Sequence, residues 1–314
     1  MKNRMIILSL ACLLSVSISL PTTGQAELYI VGQYGVTIWP SFGQTHWNHT
    51  TITSATLGDP TSVLEYEGVD TTVLEFGAWV PLPASFFVRG YIGLGVIQIG
   101  DGNLRDDDFF SGQVLSSSTD SVIADTDVFY VTLDVGRPIL SGPSGSLSPI
   151  VGFQYWREEY EAFGVFNRLT GVQTVPTSTA VVTNTVEWLS IRLGAIALIQ
   201  LTPPPGLSLS IDAVFIPFTD MHNEDSHLLR TSPADLGPAP NIIMDGNGWG
   251  FQGDTKLGYE IIPDLIASIG FRYWTMMSDG DITFGPNTTS PATLPLNDLD
   301  TIRWGVTSGI VYRF

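Results

Sequence analysis

The sequence predicts an all-β chain, a ten-stranded antiparallel transmembrane β-barrel with short periplasmic turns and long extracellular loops. Three observations carry that expectation. The 314 residues are acidic yet apolar, with net charge −18, 14% charged and 44% hydrophobic residues and a mean hydropathy of +0.22. After an export signal, no apolar run reaches the ~18 residues that a spanning helix needs. Polar and apolar residues alternate at period two, and the chain ends on Phe314. An exported apolar chain without spanning helices satisfies its backbone in lipid by closing a sheet on itself.

The export signal is read from residues 1–26. MKNR is a basic start, MIILSLACLLSVSISL is an apolar core, and PTTGQA ends in small residues suited to cleavage after Ala26, the anatomy of a secretory signal peptide. Cys12, the single cysteine, falls inside it, and Leu10 with the continuing apolar run makes a poor lipobox. The expected mature barrel, 27–314, therefore has no disulfide or thiol chemistry. Its acidity excludes nucleic acid as a partner and favours cationic ones.

The punctuation is regular. Tight turns are expected at 81-PLP-83, 141-SGPSG-145, 203-PPPG-206 and 262-IPD-264, and longer polar loops around 40–60, 99–120, 165–182, 220–241 and 279–298. Between them lie ten strands. In the second, Leu64, Tyr66, Leu74, Phe76, Ala78 and Val80 share a face opposite Glu65, Glu67 and Glu75. The third is 86-FFVRGYIGLGVIQI-99. In the ninth, Ala267, Ile269, Phe271 and Tyr273 oppose Ser268, Gly270 and Arg272; in the last, Ile302, Trp304, Val306, Ile310, Tyr312 and Phe314 share a face. This is lipid-out, polar-in alternation, and the terminal Phe resembles the signal read by the barrel-assembly machinery. The same parity sends Arg89, Arg192, Lys256, Arg272 and Arg303 inward with Glu75, Asp134, Asp254 and Glu260. Ten strands make a narrow lumen that such pairs would fill, against an open porin. A soluble β-sandwich also alternates, but leaves the terminal Phe and the hairpin period unexplained.

Chemistry is concentrated in two of the expected loops. In 104-LRDDDFFSG-112, extended backbone points Asp106 and Asp108 the same way and Asp107 the other. Paired carboxylates can share a proton or hold a water, although acidic loops are also often merely solvated. In 220-DMHNEDSHLLR-230, Asp225 and His227 are again two apart. A carboxylate beside an imidazole fixes its tautomer and stabilises its protonated form. The first segment joins strands 3 and 4 and the second joins strands 7 and 8, so the pairs should face each other across the barrel mouth.

Here the chain resembles the omptin family, outer-membrane endopeptidases built as ten-stranded barrels. The family's Asp-x-Asp followed by an aromatic, after an Asn-bearing entry, matches 103-NLRDDDF-109. Its Asp-x-His with Arg three beyond matches Asp225, Ser226, His227 and Arg230, and 119-TDS-121 with 125-DT-126 fits the entry to strand 4. The resemblance implies an Asp/His endopeptidase that works without a covalent intermediate. A water held between His227 and Asp106 attacks the scissile carbonyl, with His227 as base, Asp225 orienting it and Asp108 supporting Asp106. It further implies a monomer in the bacterial outer membrane, peptide or protein substrates that the acidic surface would favour as cationic, and no cofactor beyond a lipopolysaccharide requirement. The family's outward lipopolysaccharide pattern, aromatic-x-Glu-x-Arg, is matched by Phe153 and Arg157, with Tyr155 at the glutamate position.

Departures bear on specificity. Phe109 replaces the family's tryptophan, and Asn223-Glu224 replaces Asp-Asn, removing an aspartate that holds basic side chains; Asp220 and Glu224 are the acids left to compensate. No metal is expected: the run from Asp101 lacks a calcium loop's glycine and closing glutamate, and 46-HWNH-49 lacks a third ligand. Asp220 with His222 is a rival Asp-x-His, and 245-DGNGWGFQG-253 lacks the strand–helix setting of a nucleotide site. The alternatives to a protease are a catalytically silent barrel serving as adhesin or scaffold, and a narrow cation-selective channel.

Overall fold

The computed structural model describes residues 32–50, 57–110, 114–201 and 203–314; the expected signal peptide lies outside them. The strands are β1 (Gln33–His49), β2 (Leu57–Glu67), β3 (Thr71–Pro81), β4 (Phe87–Gln98), β5 (Gly102–Phe110), β6 (Val114–Gly136), β7 (Leu140–Gly142), β8 (Gly145–Asn167), β9 (Val172–Leu201), β10 (Leu207–His227), β11 (Ile242–Ile262), β12 (Leu265–Phe284) and β13 (Ala292–Arg313). They make ten staves. β2 continues into β3 and β4 into β5 as single staves with a break in each, and β7 folds back on the start of β8. Every pairing is antiparallel, and β1 pairs with both β3 and β13, which closes the ring.

The expected turns are the short connections at one rim, hereafter the turn rim. The expected loops are not all loops. β5 runs through 104-LRDDDFF-110, and β10 runs to His227. Paired strands thus continue well past the apolar belt, and a ladder positions the loop-rim residues more rigidly than free loops could.

Outside, Tyr34, Val36, Ile38, Phe76, Val80, Phe153, Ile191, Phe215, Ile269, Phe271, Trp304, Ile310 and Tyr312 are exposed. This apolar belt suits lipid. Aromatic contacts line the closing seam: Phe42 with Trp304 at 4.8 Å and Tyr34 with Tyr312 at 5.5 Å between ring centroids. Phe314 donates its backbone N–H to Gly32 O at 2.9 Å.

Inside, the inward charges are paired. Asp134 takes Arg89 and Arg192, each at 2.9 Å, and Arg89 also reaches Asp212. Arg272 binds Glu75 at 2.6 Å and Asp254, lying over the rings of Trp39 and Trp274. Tyr130 donates to Glu75 at 2.6 Å, and Arg303 pairs with Glu158. A cavity of about 440 Å³ enters from the turn rim and reaches inward to Glu75, Arg89 and Arg272. Those matched pairs fill the barrel's waist.

The two breaks matter most for function. Gly68, with φ 64°, follows β2, and Gly100, with φ 74°, precedes β5, conformations that suit glycine. A Cβ on Gly102 would lie 2.7 Å from Glu67 O, so the breaks pack backbone on backbone. The face a stave presents reverses at Gly68 in the first and, in the second, at the register shift in β4 where Gly95 and Ile97 stand opposite Val73 and Thr72. In β3 the odd-numbered Val73 and Glu75 are buried, but in β2 it is Leu64 and Tyr66. The expected common face of Leu64 and Tyr66 with Phe76 is therefore wrong: the first two point into the lumen and Phe76 points out. In β4 the odd-numbered Phe87 and Arg89 are buried, and in β5 the even-numbered Leu104 is. A stave without that shift would have aimed Asp107 inward; the shift aims Asp106 and Asp108.

Candidate active site

Asp106 and Asp108 follow Leu104 on the inner face of β5, held between β2 and β6. Asp106 stands opposite Leu64 and Thr119, and Asp108 opposite Ser62 and Ser117. On the far wall, β10 presents Asn223 and Asp225 inward with no solvent exposure, and His227 ends the strand. Asn241 pins that end: His227 N–H donates to Asn241 Oδ1 at 2.9 Å, and Asn241 Nδ2 donates to His227 O at 3.1 Å.

The two walls meet electrostatically. Burial, then repulsion from Asp108, Asp225 and Asp107, pushes the Asp106 carboxyl up to about 8, while Arg230 opposes the rise. Asp106 therefore holds a proton at neutral pH. Burial also raises Asp225, against the pull of His227 and the hydroxyl of Tyr66. Tyr66 reaches across from β2 and donates to Asp225 Oδ2 at 3.3 Å. Burial, Asp225 and Asp106 all hold its phenol protonated. Arg230 chelates Asp235 at 3.1 and 2.7 Å and lies near enough to feel Asp106 and Asp108.

His227 Nε2 lies 3.8 Å from Asp225 Oδ1, too long for a hydrogen bond. Both atoms are buried without a hydrogen-bond partner among the described residues. Buried polar atoms left this way call for water or ligand. An imidazole beside a buried carboxylate, across from a protonated acid, can take a proton from water on one side and return one on the other.

Other expected residues fall elsewhere. Asp220 and Glu224 are exposed on the outer face of β10, because β10 turns its odd-numbered residues inward at this level. The compensation expected of them is not available inside the mouth. His222 is also outward, 2.7 Å from Asp245. His46 and His49 stand on opposite faces of β1: His49 is buried, 5.1 Å between ring centroids from Phe284, so the two cannot share an ion. Phe153, Tyr155 and Arg157 share the outer face of β8. The glutamate missing at 155 is present one strand over: Glu187 of β9 stands opposite Arg157, accepts from Tyr155 OH at 2.6 Å and lies 3.4 Å from Arg157 Nε. Arg157 also pairs with Glu159 at 2.8 Å. Sequence reasoning missed Tyr66, Asn241 and Glu187. Gly68 carried the signal for Tyr66, and nothing local carried the other two.

Fold and interior together define an outer-membrane type of β-barrel with a closed waist and an acidic, histidine-bearing mouth. No family's sequence profile matches the chain, and no curated protein does. Solved structures do. The outer membrane protease OmpT from Escherichia coli is similar at TM-score 0.72 and 13% identity, over 91% of this chain and 97% of that one. The translocator domain of the autotransporter NalP from Neisseria meningitidis aligns at TM-score 0.39 and 10% identity, over 91% and 89%. At 13% identity, the likeness to the Escherichia coli protease shows a shared barrel fold.

Proposed function

We propose that the chain is an omptin-like endopeptidase of the outer membrane, its mouth and loops outside the cell, that hydrolyses peptides or proteins with water activated between His227 and Asp106. The observation that carries this is the pair of unmatched buried atoms, His227 Nε2 and Asp225 Oδ1, facing a carboxyl that is raised to about 8. His227 takes a proton from water as its oxygen attacks the scissile carbonyl. Asp225, fixed by Tyr66, stabilises the imidazolium that forms. The C–N bond breaks as the His227 imidazolium gives its proton to the leaving amine, and Asp106, kept protonated by burial and Asp108, supports the developing charge. Residues 1–26 are the export signal, the barrel acts as a monomer, and Arg157 with Tyr155 and Glu187 meets lipopolysaccharide at the headgroup level.

The test is to refold residues 27–314 with lipopolysaccharide and digest a mixed peptide library, beside His227→Ala. Cleavage lost in the variant supports the protease. No cleavage by a folded wild type overturns it in favour of a silent adhesin or scaffold barrel. The paired charges across the waist argue against a cation channel, which needs a continuous wet path.

A further inference from the structure

His46, Asp298 and Asp300 stand outside the site just described. They lie on the outer face of the seam where the first and last strands close the ring. His46 is directly opposite Asp300, and Asn48 is opposite Asp298. Their neighbours Thr45, Trp47, Leu299 and Thr301 are the ones that turn inward and are buried. Asp300 is four residues beyond Trp304 of the aromatic belt, on the loop-rim side, so the cluster is above the apolar surface and partly open to water.

Its geometry is convergent. His46 Nδ1 lies 3.2 Å from Asp298 Oδ1 and 3.2 Å from Asp300 Oδ1, and one ligand atom from each of the three residues lies within 4.8 Å of the others. An ion bound to nitrogen and oxygen at about 2.0–2.2 Å holds donors on neighbouring corners of its coordination shell roughly 3 Å apart. The spacing found here fits. His222 offers the contrast within the same molecule: its Nδ1 faces Asp245 at 2.7 Å and its Nε2 faces Glu224 at 3.7 Å. Two carboxylates on opposite sides of a ring make ion pairs and enclose no common point. Around His46 both carboxylates meet one nitrogen.

We propose that His46 Nδ1, Asp298 Oδ1 and Asp300 Oδ1 form a site for a divalent transition-metal ion of the zinc class, bridging β1 and β13. One imidazole and two carboxylates suit zinc and its neighbours better than calcium or magnesium, which prefer all-oxygen shells. The two carboxylates neutralise the ion's charge, and water fills the remaining positions. Asn48 Nδ2 donates to Asp298 Oδ1 at 2.6 Å and Asn297 Nδ2 to Asn48 Oδ1 at 2.7 Å, which fixes the Asp298 carboxylate. Glu65, opposite His46 on β2, is engaged by Arg105 at 3.4 Å and is not counted among the ligands. The placement has a consequence. Sequence neighbours around the ring are joined by a turn or a loop, but β1 and β13 come from opposite ends of the chain. A bound ion ties those ends together, and binding to the folded state alone raises its stability.

The experiment is isothermal titration of the refolded barrel with zinc chloride, and separately with calcium chloride. All chains carry His227→Ala, so that the imidazole of the mouth is not counted. The expected result is one zinc per chain, no comparable calcium binding, and a melting temperature that rises with zinc. His46→Gln and Asp300→Asn should each weaken that binding at least tenfold, and His222→Gln should leave it unchanged. Zinc binding that survives in either His46→Gln or Asp300→Asn with unchanged affinity and stoichiometry overturns the site. So does weak uptake at many equivalent positions, the behaviour of a generally acidic surface.

Discussion

The waist and the mouth of this barrel bury the same kinds of side chain to opposite ends. At the waist, Asp134, Glu75 and Glu158 each face an arginine at contact distance, and Arg272 also lies against Trp39 and Trp274. At the mouth, Asp106 is repelled by Asp108 and Asp225, His227 stands beside Asp225, and the arginine that acts on Asp106, Arg230, is chelated by Asp235. Matched charges stabilise a plug, whereas burial of unmatched acids, with their mutual repulsion, appears as a raised carboxyl pKa. Groups poised to exchange protons near neutrality are what hydrolysis needs.

The comparison can be broken by exchanging the properties of the two regions. The largest effect is expected at the mouth: His227→Ala should lower kcat/KM by about 10²–10⁴-fold, the usual worth of a general base, with melting unchanged. At the waist the effect should fall on stability. Asp134→Asn leaves Arg89 and Arg192 short of a carboxylate they share, and breaking a buried pair costs about 3–5 kcal/mol. Equilibrium unfolding in urea measures it, and a variant as stable as the wild type would contradict the matched-plug reading.

A smaller effect separates the regions by pH. The Asp106 pKa is raised by folding to about 8, so the folded state binds the extra proton and stability falls as pH rises from about 4 through 8. Asp106→Asn removes that loss. Its melting temperature should exceed the wild type's at pH 8 and match it near pH 4, and melting scans across that range would show a constant offset if the account were wrong. The smallest effect is on specificity. Asn223 is buried beside Asp225 and donates to Asn184, so the wild-type mouth should show little preference for basic side chains. Asn223→Asp should shift cleavage of a peptide library toward Lys and Arg.

The sequence made some of this readable and hid the rest for physical reasons. Ten staves and their turns follow from period-two alternation and from Pro and Gly in tight turns, signals that are local. The inward arginines follow from parity within one strand. Parity fails where backbone geometry changes: Gly68 permits the positive φ it adopts but does not require it, and so Tyr66 read as lipid-facing. Register across strands is equally hidden. Glu187 supplies a carboxylate beside Arg157 from β9, and Asp298 and Asp300 meet His46 from some 250 residues away. The Asp106/Asp108 and Asp225/His227 pairs stood out because two-residue spacing on extended backbone is itself local. Which face they take was settled by register shifts in β4 and β10.

The most direct test of the central claim measures two properties on one preparation of His227→Ala and wild type. Peptide hydrolysis and urea unfolding are followed side by side in lipopolysaccharide-containing detergent. The account predicts that hydrolysis collapses in the variant while the unfolding midpoint stays where it was. Equal hydrolysis by both proteins, or none by either when both are folded, would contradict a working site at the mouth.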